Sequence, residues 1–362
     1  MPGHLRRLPY PASSSPSDAA GVANVVDMPG TVLFCTDTFW DEGGDRVVAI
    51  DPTVEVVRLV GDEHVLQSDL ERITVAFFSP DVWPARSERF MGACIRAEHL
   101  RWLHSAASGT EHPVFDTFRS RGVTVTNTAG GSAPSIALSV MTYLLALSRR
   151  LPEVVRNQAE QRWDPEMTAV DLDGMRLGIV GLGSIGAETA RLASCLGMEV
   201  IGLRRTIRGD EPCVTWTDDR FHELLEWADV VAVTAPLNDA TRGLFDADAF
   251  ARMRPGAWFV NVGRGEIVDE EALVANLRSG HLGGAGLDVF ATEPLPTGHP
   301  LWSLPNVIVT PHSSGNTTTT TRRTIDRFLE NFRRHTGGRP LLGVTGPGGT
   351  TIPDEPIGDT SP

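Results

Sequence analysis

Three short segments in the C-terminal half each place a chemically capable side chain just past an apolar run. Asn261–Glu266 reads NVGRGE, Gly286–Pro294 reads GLDVFATEP, and Val309–His312 reads VTPH. They supply a guanidinium at Arg264, a carboxylate at Glu293 and an imidazole at His312. Arginine can bind a substrate carboxylate and polarise the adjacent carbonyl. Histidine exchanges a proton near neutral pH, and a hydrogen-bonded glutamate orients it and favours its protonated form. Those groups suit the reduction of a 2-keto acid. Singly, each residue has a plainer reading: a structural histidine, a solvated loop charge, a turn arginine. Their joint occurrence at the ends of strand-like runs gives the chemical reading its force.

A fourth segment supplies the partner such chemistry needs. Met175–Gly186 reads MRLGIVGLGSIG, an apolar strand running into Gly181, Gly183 and Gly186 and then into a helix. The first glycine makes the tight turn, the second lets a pyrophosphate approach the backbone, and the third allows helix to pack on strand. The helix start, with Ser184 and Ile185, offers unpaired N–H groups and a positive dipole end to phosphate. The next strand ends in Leu203-Arg204-Arg205-Thr206, and no acid follows until Asp210. A carboxylate there would accept from a ribose 2′-OH, whereas arginine pairs with a 2′-phosphate. The expected cofactor is therefore NADP(H) rather than NAD(H).

The positioning elements are those of an α/β protein. Apolar runs at Thr31–Cys35, Val54–Val60, Ile73–Phe78, Leu100–Ser105 and Val123–Asn127 form one series. A long helical pattern from Pro134 through Arg150, and on toward Trp163, separates it from a second. That second series runs Arg176–Val180, Glu199–Leu203, Val230–Thr234, Trp258–Val262, Gly286–Val289 and Asn306–Thr310. Strand–helix alternation of this kind predicts doubly wound parallel sheets, with ligands at the carboxyl ends of the strands. The last helical pattern, Thr318–His335, comes after the second series, so the chain is expected to return to the first domain. The threonines at 317–321 are expected to cap that helix.

Composition narrows the chemistry. The chain has 362 residues, a formal charge of −14, no lysine and two tyrosines, Tyr10 and Tyr143. Without lysine there is no Schiff base and no Walker A loop, which excludes pyridoxal phosphate enzymes, lysine aldolases and ordinary P-loop NTPases. The acidic balance disfavours nucleic acid and anionic membranes. Four scattered cysteines with no CxxC predict reduced thiols, with neither a metal nor a disulfide framework. The N-terminus lacks the apolar core of a signal peptide, and the apolar stretch Ile136–Leu147 is too short to span a bilayer. A cytoplasmic location is expected. Residues 1–30 and 346–362, rich in Pro, Gly and Ser, read as a disordered leader and tail.

These strings resemble the D-2-hydroxyacid dehydrogenase family. The resemblance runs from about 31 to 345 and rests on LRWLHSAASGTEH (100–112), VTVTNTAGG (123–131), GIVGLGSIG (178–186), TAPLNDATRGL (234–244), NVGRGEIVDEEAL (261–273), LDVFATEPLP (287–296), HPLW (299–302) and TPH (310–312). It implies two Rossmann-like doubly wound parallel-sheet domains with an interdomain active-site cleft. The substrate domain would comprise 31–133 plus 311–345, and the dinucleotide-binding domain 134–310. It implies that Arg264, Glu293 and His312 are catalytic, that Asp288 contacts the nicotinamide and that Pro236 lines the adenosine side. Backbone N–H groups at Ser108 and Gly109 would hold the substrate carboxylate. It further implies a homodimer through the long helix (134–163), with Trp163 toward the partner. The implied activity is reduction of small 2-keto acids to D-2-hydroxy acids, glyoxylate or hydroxypyruvate first. The alternative is a non-catalytic dinucleotide-sensing protein of the same fold, against which the intact Arg/Glu/His set argues. Two departures stand out. Ala137-Leu138-Ser139 lacks the family's usual acidic residue, and the loop SAASG differs from commoner versions, so side-chain specificity does not carry over.

Overall fold

The computed structural model describes residues 30–349 except Asp62, Ser108, Glu111 and Ala129. The expected leader and tail lie almost wholly outside the described residues.

The two apolar series form two parallel sheets. The first contains β1 (Val32–Thr36), β2 (Glu55–Leu59), β3 (Val75–Phe78), β4 (Trp102–Ser105) and β5 (Thr124–Asn127), in the order β2-β1-β3-β4-β5. The second contains β6 (Arg176–Val180), β7 (Glu199–Leu203), β8 (Val214–Trp216), β9 (Val230–Val233), β10 (Ala257–Asn261), β11 (Leu282–Leu287) and β12 (Val307–Val309). Its order is β12-β11-β10-β9-β6-β7-β8. Every strand pair within the two sheets is parallel. Central strands such as β9 are buried along their whole length, because helices cover both faces, and they therefore read as unbroken apolar runs. The strand order reverses between β6 and β9, which makes the carboxyl ends of those strands the natural crevice for a ligand.

Three elements depart from the sequence pattern. The long helix stops at Ser148; Arg150 adopts a left-handed φ of 51°, and a second helix, Leu151–Ala159, begins there with Pro152 in its first turn. β8 is a short edge strand with no apolar run to announce it. β11 begins four residues earlier than expected, over LGGAGL, a stretch whose glycines have little strand preference of their own. Packing explains it: a Cβ on Gly286 would come within 2.5 Å of the Tyr143 side chain, and one on Gly284 within 2.8 Å of Leu147. The glycines let the helix Ala133–Ser148 lie directly on the strand.

After β12 the chain returns to the first sheet as the helix Thr318–Thr336. The Thr317 hydroxyl caps it, accepting from the Thr320 N–H at 3.1 Å. Phe328 stacks on Phe77 with centroids 4.1 Å apart, and Ile325, Leu329 and Phe332 join Leu33, Phe39 and Trp102 in one buried cluster.

That cluster surrounds a fully buried histidine. The Thr126 hydroxyl accepts from Trp102 Nε1 at 2.8 Å and lies 2.7 Å from His104 Nδ1. His104 Nε2 faces the Thr128 hydroxyl at 3.3 Å, so each ring nitrogen has a hydroxyl neighbour. Burial, reinforced by the charge of Arg327, pushes its pKa down to about 3. The unfolded chain binds this proton below about pH 6.5 while the folded chain refuses it. The associated stability is present above pH 6.5 and is lost as pH falls toward 3. Burial shifts His335 in the same direction. We expect the unfolding free energy to fall on acidification below pH 6.5, with His104 contributing up to about 1.4 kcal/mol per pH unit. Denaturant titrations at pH 7, 6 and 5 should give a shallower slope for His104→Gln; an unchanged slope would contradict this account.

Candidate active site

The glycine loop sits at the carboxyl end of β6, beside β9. Gly181 has φ +100°, and a Cβ there would meet the Ala235 backbone at 2.5 Å. A Cβ on Gly186 would lie 2.6 Å from the Gly181 carbonyl oxygen, which accepts from the Thr234 hydroxyl at 2.7 Å. Gly183 is different: no atom lies within 4 Å of its Cβ position, and its φ of −89° is one that any residue adopts. The first and third glycines are thus required by the fold, and the second keeps a space clear. The helix Ser184–Cys195 starts here with no side-chain cap on its first turn, so its N–H groups face that space. The cradle fits a dinucleotide pyrophosphate. Pro236 follows β9 on the same edge and is exposed, its carbonyl oxygen accepting from the Thr241 hydroxyl at 2.7 Å.

The end of β7 holds more than the sequence suggests. Arg204 pairs with Glu211 at 3.0 Å, both side chains being largely buried. Glu211 also accepts from the Arg208 and Gly209 N–H groups at 2.6 and 2.8 Å. Those donors, with the charge of Arg204, hold its carboxyl below the usual range. Arg204 is therefore committed to bracing the loop 204–211, while Arg205 and Thr206 are exposed at its tip.

Arg264, Glu293 and His312 come from three loops at the carboxyl ends of β10, β11 and β12. Asn261 sets the first: its side-chain amide donates to the Arg264 carbonyl at 3.0 Å and its oxygen accepts from Gly263 N–H at 3.0 Å. Arg264 is half-buried, with Nη1 2.7 Å from the Gly263 carbonyl. Gly265 then passes so close to the second loop that a Cβ would lie 1.9 Å from the Phe290 carbonyl carbon. In that second loop the Phe290 N–H donates to Glu293 Oε1 at 3.0 Å. The other oxygen, Oε2, lies 2.8 Å from His312 Nδ1, and both side chains remain partly exposed.

His312 has φ +51°, a conformation that costs a non-glycine residue about 1–3 kcal/mol. Asp288 holds it there. Its carbonyl accepts from the His312 N–H at 2.8 Å. Its carboxylate is fully buried and accepts from the Ser313 N–H at 2.9 Å, the Ser314 N–H at 3.1 Å and the Thr310 hydroxyl. The Asp288 carboxylate is thus spent on the histidine loop. The Tyr143 hydroxyl reaches the same cluster, 2.6 Å from the Thr310 hydroxyl, and burial pushes its pKa up to about 12.

Of the expected substrate loop, Ser108 lies outside the described residues. Gly109 is half-buried and precedes Thr110, which is buried and held by Arg119. Asn261, Gly265 and Tyr143 were missed at the level of sequence. The first two stand inside the NVGRGE string, and Tyr143 was conspicuous only as one of two tyrosines. Among the described residues no group of acidic, His or Cys side chains is placed to hold a metal, and no helix is long and apolar enough to cross a membrane.

A strand–glycine loop–helix at a switch point, beside an Arg/Glu/His set on neighbouring strand ends, defines a dinucleotide-dependent oxidoreductase site. Residues 141–314 match the family model for the D-isomer specific 2-hydroxyacid dehydrogenase NAD binding domain. The chain is 36% identical over 251 residues to an (S)-sulfolactate dehydrogenase of Chromohalobacter salexigens, covering 67% of this chain and 80% of that protein. It is 31% identical over 284 residues to a hydroxypyruvate reductase of Thermotoga maritima, covering 77% and 91%. Among solved structures it resembles a D-isomer specific 2-hydroxyacid dehydrogenase of Xanthobacter autotrophicus in complex with NADPH and MES. That match has a TM-score of 0.71 and 31% identity, and covers 88% of this chain and 99% of that one. The chain belongs to the D-isomer specific 2-hydroxyacid dehydrogenase family. It is an NAD(P)-dependent oxidoreductase acting on the CH–OH group of 2-hydroxy acids.

The glycine loop gives a direct check. Gly183→Val should fold with a melting temperature near wild type, because a Cβ there meets no atom within 4 Å. Its dinucleotide Kd should rise at least about tenfold, since the methyls occupy the space kept for phosphate. Fluorescence titration and thermal melts read both quantities. Wild-type affinity would show that the pyrophosphate lies elsewhere.

Proposed function

We propose that the protein is an NADP(H)-dependent reductase of small 2-keto acids, yielding D-2-hydroxy acids, with glyoxylate or hydroxypyruvate the first substrates to try. The observation that carries this reading is the 2.8 Å pair between His312 Nδ1 and Glu293, on a loop packed directly against the one bearing Arg264. With Nδ1 turned to Glu293, Nε2 is the nitrogen left to face substrate. His312 holds a proton there and passes it to the carbonyl oxygen during reduction. Glu293 fixes the ring and balances its positive charge. Arg264 binds the substrate carboxylate and polarises the carbonyl, joined by backbone N–H groups at Ser108 and Gly109. The bound dinucleotide supplies the two electrons of the reduction.

Gly181, Gly183, Ser184, Ile185 and Gly186 would hold its pyrophosphate and Pro236 its adenosine side, with Asp288 behind the nicotinamide end. Arg205 and Thr206 are the groups for a 2′-phosphate, in a loop that Arg204 braces through Glu211. The relative solved with NADPH favours that choice. In this reading 134–310 binds the dinucleotide, 31–133 with 311–345 binds the substrate, and the site lies in the cleft between. Exposed Leu138, Leu145, Val155 and Trp163 on the 133–163 segment favour a homodimer through that face.

Steady-state kinetics test the assignment. His312→Asn should lower kcat at least about 100-fold, as loss of a general acid does. Arg264→Ala should act chiefly by raising KM for the keto acid. Wild-type turnover in His312→Asn would refute the role. kcat/KM should favour NADPH over NADH, and Arg205→Ala should erode that preference; a tenfold preference for NADH would overturn it.

A further inference from the structure

The helix Ala133–Ser148 is pressed onto β11 at two glycines, Gly284 and Gly286. The contact at Gly286 is made by Tyr143 itself. The ring is buried and only its hydroxyl reaches a polar group, Thr310 Oγ1 at 2.6 Å. The direction of this bond is fixed by its neighbour. Thr310 Oγ1 lies against the Asp288 carboxylate, which can only accept, so the threonine proton goes to Asp288. Tyr143 must then donate to Thr310. The result is a directed chain: Tyr143 O–H to Thr310, Thr310 O–H to Asp288, and Asp288 accepting the N–H groups of Ser313 and Ser314. Those two residues immediately follow His312, whose own N–H is held by the Asp288 carbonyl. Each bond in the chain is charge-assisted or coupled to a charge-assisted neighbour, and such chains polarise one another.

We propose that Tyr143 is a positioning residue for His312, acting through Thr310 and Asp288 to hold the imidazole against Glu293. It touches neither Glu293 nor His312. Its contribution is to fix the oxygen of Thr310, so that Asp288 keeps the orientation in which it gathers the 312–314 backbone. This anchors the proton-donating loop of the second sheet to the long helix that follows the first. The role rests on the reading of His312 as proton donor.

The test uses five variants in the full-length protein. Tyr143→Phe and Thr310→Val each remove one hydroxyl from opposite ends of the same bond. Each should lower kcat about three- to tenfold, the effect of one hydrogen bond on a poised group. KM for the keto acid and dinucleotide Kd should stay near wild type, because Arg264 and the glycine loop lie on other segments; the melting temperature should hold in Tyr143→Phe and fall in Thr310→Val, which leaves the buried Asp288 carboxylate short of a donor. The double variant should be no slower than the slower single one. Thr310→Ser keeps the hydroxyl and should recover the activity that Thr310→Val loses. Wild-type kcat in Tyr143→Phe and Thr310→Val overturns the proposal. So does a loss in Tyr143→Phe that follows the melting temperature, or one in Thr310→Val that Thr310→Ser fails to recover. His312→Asn separates the two levels. If it is inactive while the hydroxyl variants are normal, the positioning role alone fails; if it is active, the reading of His312 fails and the role falls with it.

Discussion

The buried carboxylate of Asp288 is the constraint on which the site depends. A carboxylate withdrawn from water must be satisfied inside the protein. The donors that satisfy it belong to Thr310, Ser313 and Ser314, so the chain after β12 has to wrap around it. Wrapping in that way forces His312 into a left-handed backbone and turns its Nδ1 toward Glu293. The strain at the histidine is thus offset by bonds made on either side of it. The imidazole itself is left exposed and available.

The same edge of the sheet solves a second problem, the close approach of neighbouring loops. Gly265 lets the Arg264 loop touch Phe290, and Gly181 lets the phosphate loop touch Ala235. Both contacts are backbone to backbone, which no side chain permits. An acidic chain thereby places arginine where anions would come. Arg264 stands beside the histidine pair, and Arg205 stands at the end of β7. The absence of lysine leaves guanidinium groups and backbone N–H groups as the means of holding phosphate and carboxylate.

Much of this was legible in the sequence. The strands were, because parallel strands covered on both faces are apolar throughout. The glycine loop was, because each glycine answers a separate steric demand. Arg264, Glu293 and His312 were, because each follows a strand at a spacing that brings loop ends together. What escaped depends on contacts distant along the chain. Glu211 folds back onto Arg204, although nothing local links them. Asp288 reads as a nicotinamide contact, and its hold on the 310–314 turn shows only once that turn closes over it. Tyr143 reads as one core residue of an apolar helix, and only the glycines of β11 reveal how near it comes. The helix end near Arg150 was legible, but the separate helix Leu151–Ala159 read only as a continuation of the same pattern.

The central claim is that these loops make a working 2-keto acid reductase rather than a binding module. It is tested most directly by following NADPH absorbance with the wild-type protein across a panel of small 2-keto acids, each paired with an analogue lacking the carboxylate. The account predicts turnover with at least one keto acid and none with its carboxylate-free partner. Tight NADPH binding with no turnover across the panel would contradict it.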